Sequence, residues 1–369
     1  MNRHITANTP TARLEFIDNM KAIGILLVVI GHAPGLGTLL EQTIYSFHMP
    51  LFFFISGLLL KPERLAVSLR TYITSLWRTI LVPYAFFFLV SYLYWLPTHE
   101  IGSKASKYAT FAWYDPFWSL VVGYGHTNIV LWFFVCLAVT TLAYYLLRQR
   151  FTERTVLALI VAAAAMFVLS RKPFWPRWPW CLDVGVVALL FYALGHWARG
   201  RLQRLRDASP LYLVVIALIS LAATGVLTAK NGRVDLYALY FGAHPALFVP
   251  GALAGIGFVL SISLMFKARA VSRWLAANTI FIFPMHGLMF SLFTGVGVLV
   301  FGLPHDFKQS SVWFGIAYAA ASLLLSFPAA SIAYRVFPFV FQTRGMYKPN
   351  DNMLTPQPGQ PITQNKGVP

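Results

Sequence analysis

The reading turns on Phe16-Ile17-Asp18-Asn19-Met20-Lys21-Ala22-Ile23-Gly24-Ile25-Leu26-Leu27-Val28-Val29-Ile30-Gly31-His32. The run is apolar enough for a buried helix, yet it carries Lys21 about one turn inside one end and His32 at the other. Eleven residues at about 100° each return a side chain to within about 20° of its starting direction, roughly 16 Å along the axis. Lys21 and His32 therefore share a face, and Asp18 stands three residues before Lys21, where it can pair with the ammonium. Ionisable groups placed inside a membrane are costly, so they face a bundle interior or a water-filled cavity and serve a function. The bland alternative is that Lys21 snorkels to one headgroup layer and His32 sits in the other.

The composition decides that this helix belongs in a membrane. Of 369 residues, 58% are hydrophobic and 16% aromatic, while only 11% are charged. That leaves too few charges to cover a water-soluble globule. Lys and Arg number 29 against 12 Asp and Glu, a net charge of +17. Nucleic-acid binding would need a basic surface on a soluble fold, whereas basic loops on the cytoplasmic side of a membrane explain the excess directly. Cys136 and Cys181 form no CxxC pair, so neither a disulfide framework nor a zinc site is expected. The run from Phe16 to Ile30 holds Asp18 and Lys21 and lacks a small-residue cleavage pattern, which predicts a retained helix.

Outward from this helix, hydropathy predicts an all-α, polytopic membrane bundle of about ten spans: 16–32, 44–60, 79–97, 129–147, 155–170, 182–198, 211–228, 247–266, 277–302 and 312–334. Pro284 and Pro328 fall inside the last two, where neighbouring helices accommodate them. The aromatic segment from Thr98 to Asn128 carries a partial apolar stretch, Pro116 to Val122, expected to be re-entrant or interfacial. Residues 1–345 read as one transmembrane domain and 346–369 as a polar, disordered tail. With the N-terminus inside, the inner segments hold more than twice as many Lys and Arg as the outer loops. The expectation is a multi-pass protein with both termini in the cytoplasm.

By this topology the second span returns from outside through Phe47-His48-Met49-Pro50, which brings His48 to a depth similar to His32. Imidazole has an unperturbed pKa of about 6.5 and can take and return a proton at neutral pH, so two near one mouth are material for a general base and its orienting partner. Ser56 and Gly57 further along read as small packing residues. His286 is expected in the outer half of the ninth span, within reach of the same cavity, with a packed core histidine as the bland alternative. The outer run Arg171-Lys172-Pro173-Phe174-Trp175-Pro176-Arg177-Trp178-Pro179-Trp180 reads as an interfacial aromatic belt.

These residues carry a resemblance. Phe16 to Lys21 continuing to Gly31-His32, then Phe47-His48-Met49-Pro50-Leu51-Phe52-Phe53-Phe54-Ile55-Ser56-Gly57, closely resembles the membrane acyltransferase 3 family. That family's hallmark is Arg or Lys, ten residues, then His, met here by Lys21 and His32. Later echoes are Leu131-Trp132-Phe133-Phe134, Phe191-Tyr192-Ala193-Leu194-Gly195, and Ala277-Asn278-Thr279 running to His286. The chain departs from the family's paired Arg-x-x-Arg before the third span, because Ser75 stands three residues before Arg78.

The resemblance implies transfer of an acyl group, expected to be acetyl, from cytoplasmic acyl-CoA to a hydroxyl of a carbohydrate. Within the family the sequence is most similar to enzymes of the bacterial inner membrane that decorate exopolysaccharides or their lipid-linked precursors. Acetyl-CoA is then the donor, with no tightly bound cofactor and no metal, and a glycan and membrane lipids are the partners. The residues fit that scheme. Arg64, Arg70 and Arg78 would meet the CoA phosphates, and Lys21 would hold the pantetheine or pyrophosphate end or neutralise Asp18. His32 would deprotonate the acceptor hydroxyl. His48, His286 and Asn278 are supporting or oxyanion-side candidates, and Trp132 is the aromatic with the best claim to the acceptor. The rival reading is a glycan transporter or flippase, but the inverted repeats and paired broken helices of such proteins do not stand out in the sequence.

Overall fold

The computed structural model describes residues 15–100, 110–123, 125, 127–170, 177–205, 208–304 and 306–341. The expected polar tail and Arg171–Pro176 of the aromatic belt lie outside them. The described residues form an all-α bundle with no strand, only an isolated bridge between Asp235 and Tyr240.

The chain runs α1 (Glu15–His32), α2 (Thr38–Leu59), the short α3 (Pro62–Leu65) and α4 (Leu69–Leu76), and a π-helical turn (Trp77–Leu81) leading into α5 (Val82–Thr98). Next come α6 (Asp115–Val122), α7 (Trp132–Arg150), α8 (Glu153–Leu169), α9 (Leu182–Leu205) and α10 (Pro210–Asn231). The last four are α11 (Phe248–Met265), α12 (Ala270–Ala277), α13 (Thr279–Leu299) and α14 (Val312–Val336). Hydroxyl caps start several of them: Ser68, Thr152 and Ser209 each accept from the backbone N–H three residues on, 3.3 Å away. Such a cap supplies an acceptor to one of the helix's first, otherwise unpaired donors.

Among the described residues, seven helical runs are long and apolar enough to cross a membrane: Leu69–Thr98, Ile129–Arg150, Pro179–Leu202, Pro210–Asn231, Pro245–Met265, Thr279–Leu299 and Val312–Val336. Seven of the ten expected spans meet that measure. The three other predicted spans are helices in the expected places, with physical reasons for falling short. α1 carries Glu15, Asp18 and Lys21, α2 opens on Glu41-Gln42-Thr43 and holds His48, and α8 has 17 residues. α1 and α2 trade hydropathy for polar groups because their neighbours, rather than lipid, surround most of their surface. In the segment before α7, the apolar stretch Pro116 to Val122 falls in the short helix α6. α6 lies against α5, with Phe117 4.8 Å from Tyr92 and the Tyr84 hydroxyl donating to the Leu120 carbonyl at 3.1 Å.

α2 is the helix around which the others pack. Against α9 the approach is backbone on backbone: a Cβ at Gly57 would overlap the carbonyl of Tyr192, and one at Gly195 would overlap the carbonyl of Phe54. Against α11, Phe47 fills the space a side chain at Gly255 would need. Small residues of this kind let helices approach closely where the hydrophobic effect cannot drive them together. The end of α1 that begins at Glu15 is tied to the end of α11. Buried Asn19 donates to the carbonyls of Ser263 at 3.2 Å and Phe266 at 2.7 Å, and Glu15 accepts from the Ala268 N–H at 3.3 Å.

Gly57→Ala and Gly195→Ala should each destabilise the detergent-solubilised protein by about 1–3 kcal/mol, the usual range for overpacking. Gly225→Ala, where a Cβ meets nothing within 4 Å, should be neutral or slightly stabilising. Thermal unfolding checks this, and equal melting temperatures for all three would refute the close approach.

Candidate active site

Three helices bring three imidazoles and a phenol together. His32 is the last residue of α1, Tyr45 and His48 lie three residues apart on one face of α2, and His286 is on α13. The His32 ring centroid is 5.0 Å from His286, 6.0 Å from His48 and 5.3 Å from Tyr45, and Tyr45 is 5.0 Å from His48. His32, His48 and His286, candidates from the sequence, thus lie within ring contact of one another. His286 is the eighth residue of α13 and lies against His32, the last residue of α1.

The hydrogen bonds set the chemistry of two of these rings. His32 Nδ1 lies 2.9 Å from the Val28 carbonyl and His48 Nδ1 lies 2.9 Å from the Ile44 carbonyl. A carbonyl can only accept, so both Nδ1 atoms carry the proton and donate it. In the neutral rings each Nε2 then keeps its lone pair, the form a general base requires. His286 differs. It is 0% exposed, and among the described residues neither ring nitrogen has a hydrogen-bond partner of acceptable geometry. Leaving a buried polar atom unpaired costs about 1–3 kcal/mol, and such an exception marks a place where a further polar atom belongs.

Beside the imidazoles stands an aromatic wall. His286 is 6.1 Å from Phe283, Phe283 is 5.1 Å from Phe133, and Phe133 is 6.2 Å from Trp132. Trp132, expected to touch an acceptor, is buried in this wall against Phe53 at 6.4 Å and Tyr237 at 5.4 Å. Behind it, buried Asn128 donates to the Pro284 carbonyl at 2.9 Å and to the Ser91 hydroxyl at 3.1 Å, tying α5 to α13 two residues from His286.

The other expected residues lie away from the histidines. Lys21 is half-buried, as is Asp18, eleven and fourteen residues before His32. Asn278 is the joint between α12 and α13, and its amide donates to the Trp274 carbonyl at 2.8 Å. Eight residues, about 12 Å of helix rise, separate it from His286, so the structure does not bring it to the histidines. Arg70 and Arg78 are exposed, on α4 and on the π-helical turn respectively. Arg64 donates to the Ser75 hydroxyl and lies over the Tyr72 ring, 5.9 Å from its centroid. A guanidinium thus stands beside the position where the sequence lacks one.

Sequence reasoning missed Tyr45, Asn128 and Asp183. Tyr45 has a local signal, one helical turn before His48. Asp183 has one too, as a carboxylate inside a span with Arg177 six residues earlier. Asn128 becomes visible only through its contacts with helices far away in sequence.

Fold and site together define a multi-pass membrane protein with a polar, histidine-lined centre between its helices. The chain belongs to the acyltransferase 3 family: the family model, described as an acyltransferase domain, matches residues 14–331. The protein is therefore a membrane acyltransferase. Neither the curated proteins nor the solved structures include a match to it.

His286→Leu should leave the melting temperature unchanged or raise it, since an apolar group relieves the unpaired ring nitrogens, while acyl transfer is lost. A variant that loses stability and keeps activity would make His286 a packing residue only.

Proposed function

We propose that the protein is an O-acetyltransferase of the bacterial cytoplasmic membrane, with both termini in the cytoplasm. It would move an acetyl group from cytoplasmic acetyl-CoA to a hydroxyl of an exopolysaccharide or lipid-linked sugar. The observation that carries this reading is the three-histidine cluster, in which His32 presents an unprotonated Nε2 beside the unpartnered ring of His286.

The donor enters from the Lys21 end. Arg64, Arg70 and Arg78 meet its phosphates with planar guanidinium donors, Lys21 steadies the pyrophosphate or the pantetheine, and the long pantetheine arm carries the thioester towards His32. Asn278, at the joint of α12 and α13, shapes this half of the passage. The acceptor hydroxyl comes from the His32 end, where Trp132 forms part of its wall. His32 Nε2 takes the hydroxyl proton as the oxygen bonds to the thioester carbonyl carbon. His286 donates its ring N–H to the oxyanion, and His48 fixes the polar surroundings of His32. The intermediate then collapses: the carbon–sulfur bond breaks, the thiolate recovers the proton from His32, and acetyl ester and free CoA leave. The balance needs no covalent enzyme intermediate.

The reading is tested with membranes containing the enzyme and its native acceptor, supplied with labelled acetyl-CoA. Wild type should transfer label, and His32→Ala should lower the rate by about 10²–10⁴-fold, the usual contribution of a general base. Lys21→Ala should raise KM for acetyl-CoA, and Lys21→Arg should recover part of the loss. Equal rates in all of these would contradict the proposal and leave Lys21 as a snorkelling residue.

A further inference from the structure

Asn128 stands at the start of the helical turn Ile129–Leu131 that leads into α7. An Asn in such a place ordinarily spends its side chain locally, accepting from a backbone N–H roughly two or three residues on. Asn128 makes no such cap, although its backbone is extended as a cap residue's is, with φ −150° and ψ 102°. The side chain turns instead to two distant helices, and only 7% of the residue is exposed. One amide hydrogen goes to the Ser91 hydroxyl at 3.1 Å and the other to the Pro284 carbonyl at 2.9 Å. The partners fix the orientation of the amide. A carbonyl can only accept, so the nitrogen faces Pro284. The Ser91 hydroxyl donates to the Phe87 carbonyl at 2.7 Å and keeps its lone pairs for Asn128. Ser91, Phe87 and Pro284 are all buried.

The contact falls where the hydrogen-bond ladder of α13 is interrupted. Pro284 has no N–H, so the carbonyl of Ile280 lacks its helical donor. Gly287 adds no side chain, and a Cβ there would lie 3.9 Å from Asn128 Oδ1. Asn128 thus rests on the backbone of α13 at two positions that bracket His286. Pro284 is about 200° round the helix from His286, so the amide comes from behind the imidazole. In front stands His32, its ring 5.0 Å from that of His286. The same short segment also carries Phe133, 5.1 Å from Phe283 in the aromatic wall.

Resting on the acyl-transfer reading above, we infer that Asn128 is a positioning residue for the reaction: through Pro284 it fixes the stretch of α13 that carries His286, and with it the place of the His286 ring against His32. Stabilising an oxyanion depends on donors that are already in place as the charge develops. A misplacement of about 1 Å, even from a change far from the chemistry, costs about 10²-fold. A helix interrupted by proline leaves such a placement loose, and a buried amide bonded to its backbone makes it definite. Ser91 holds the amide in turn. Asn128 need touch neither donor nor acceptor for this, so its effect belongs to the rate of the chemical step and not to affinity for acetyl-CoA.

The experiment measures kcat and KM for transfer of labelled acetyl from acetyl-CoA to the endogenous acceptor, with the full-length protein in membranes and across a range of pH. Asn128→Ala should lower kcat by about tenfold or more, with KM for acetyl-CoA unchanged within about twofold. Ser91→Ala should move kcat the same way by less, since it removes one of the two acceptors. Asn128→Asp supplies the rescue. At low pH its carboxyl is protonated and can donate to the Pro284 carbonyl, so kcat should approach that of wild type. As the pH rises the group ionises and can only accept, so the ratio of its kcat to wild type should fall. Burial raises the pKa of a carboxyl, which brings this fall towards neutral pH. Asn128 itself does not titrate, so referring each rate to wild type at the same pH isolates the effect. Wild-type kcat in Asn128→Ala would overturn the inference. So would a ratio for Asn128→Asp that stays constant with pH, or a rise in KM that matches the fall in kcat, either of which would make Asn128 a joint of the fold only. A wild type that transfers no label would overturn the acyl-transfer reading itself, and the role of Asn128 with it.

Discussion

A polar group within the hydrocarbon core has no water to pair with, so each must be answered by the protein itself. Most of this fold's polar side chains comply with that constraint. Asn19 closes the end of α11, Asn128 ties α5 to α13, Asp183 neutralises Arg177, and the Nδ1 atoms of His32 and His48 bond back to their own helices. The back-bonds have a chemical consequence beyond satisfaction. By fixing the Nδ1–H tautomer they leave each Nε2 as an acceptor. His286 is among those that do not comply, being buried among Phe283, Phe290 and His32 with both ring nitrogens unpaired among the described residues, where the others leave one atom each.

The same constraint explains why the bundle is assembled around α2. A helix with His48 on one face and Gly57 near its end can bury polar groups only if its neighbours come very close. The bare backbones at Gly57 and Gly195 permit that approach. Close packing at one end of α2 and a buried, polar cluster at the other are complementary features of one element. α1 repeats the division, with Asn19 anchored at the Lys21 end and His32 free to present Nε2 at the far end. Between them lies the length that the proposed donor arm would have to cross.

Local features of the site were legible in the sequence. The shared face of Lys21 and His32 follows from helical spacing alone, and His48 follows from the short connection between two spans. His286 was a candidate from its family-like motif, and its contact with His32 joins α13 to α1 across a long stretch of sequence. Contacts from distant segments were not legible: nothing in the order of residues announces that Asn128 reaches Pro284, that Arg64 meets Ser75, or that Tyr237 wedges beside Trp132. The helical class and the positions of the helices were readable from hydropathy. The count of spans was less so, since hydropathy measures fitness for lipid. α1 and α2 are surrounded mainly by protein and carry the polar groups that function demands. Asn278 was drawn into the site by its place in a family-like motif, whereas its side chain serves the joint between two helices.

The account stands most directly on the O-acyl content of the host's surface glycans, measured by mass spectrometry with the gene deleted and then restored as wild type or as His32→Asn. Asn approximates the shape of the imidazole and can still donate to the Val28 carbonyl, but it cannot act as a base. A fixed mass lost per repeat unit on deletion, regained with wild type and not with His32→Asn, is the predicted result. Full restoration by His32→Asn would contradict the role of the histidine cluster, and a glycan absent from the surface with its decoration unaltered would point to transport instead of transfer.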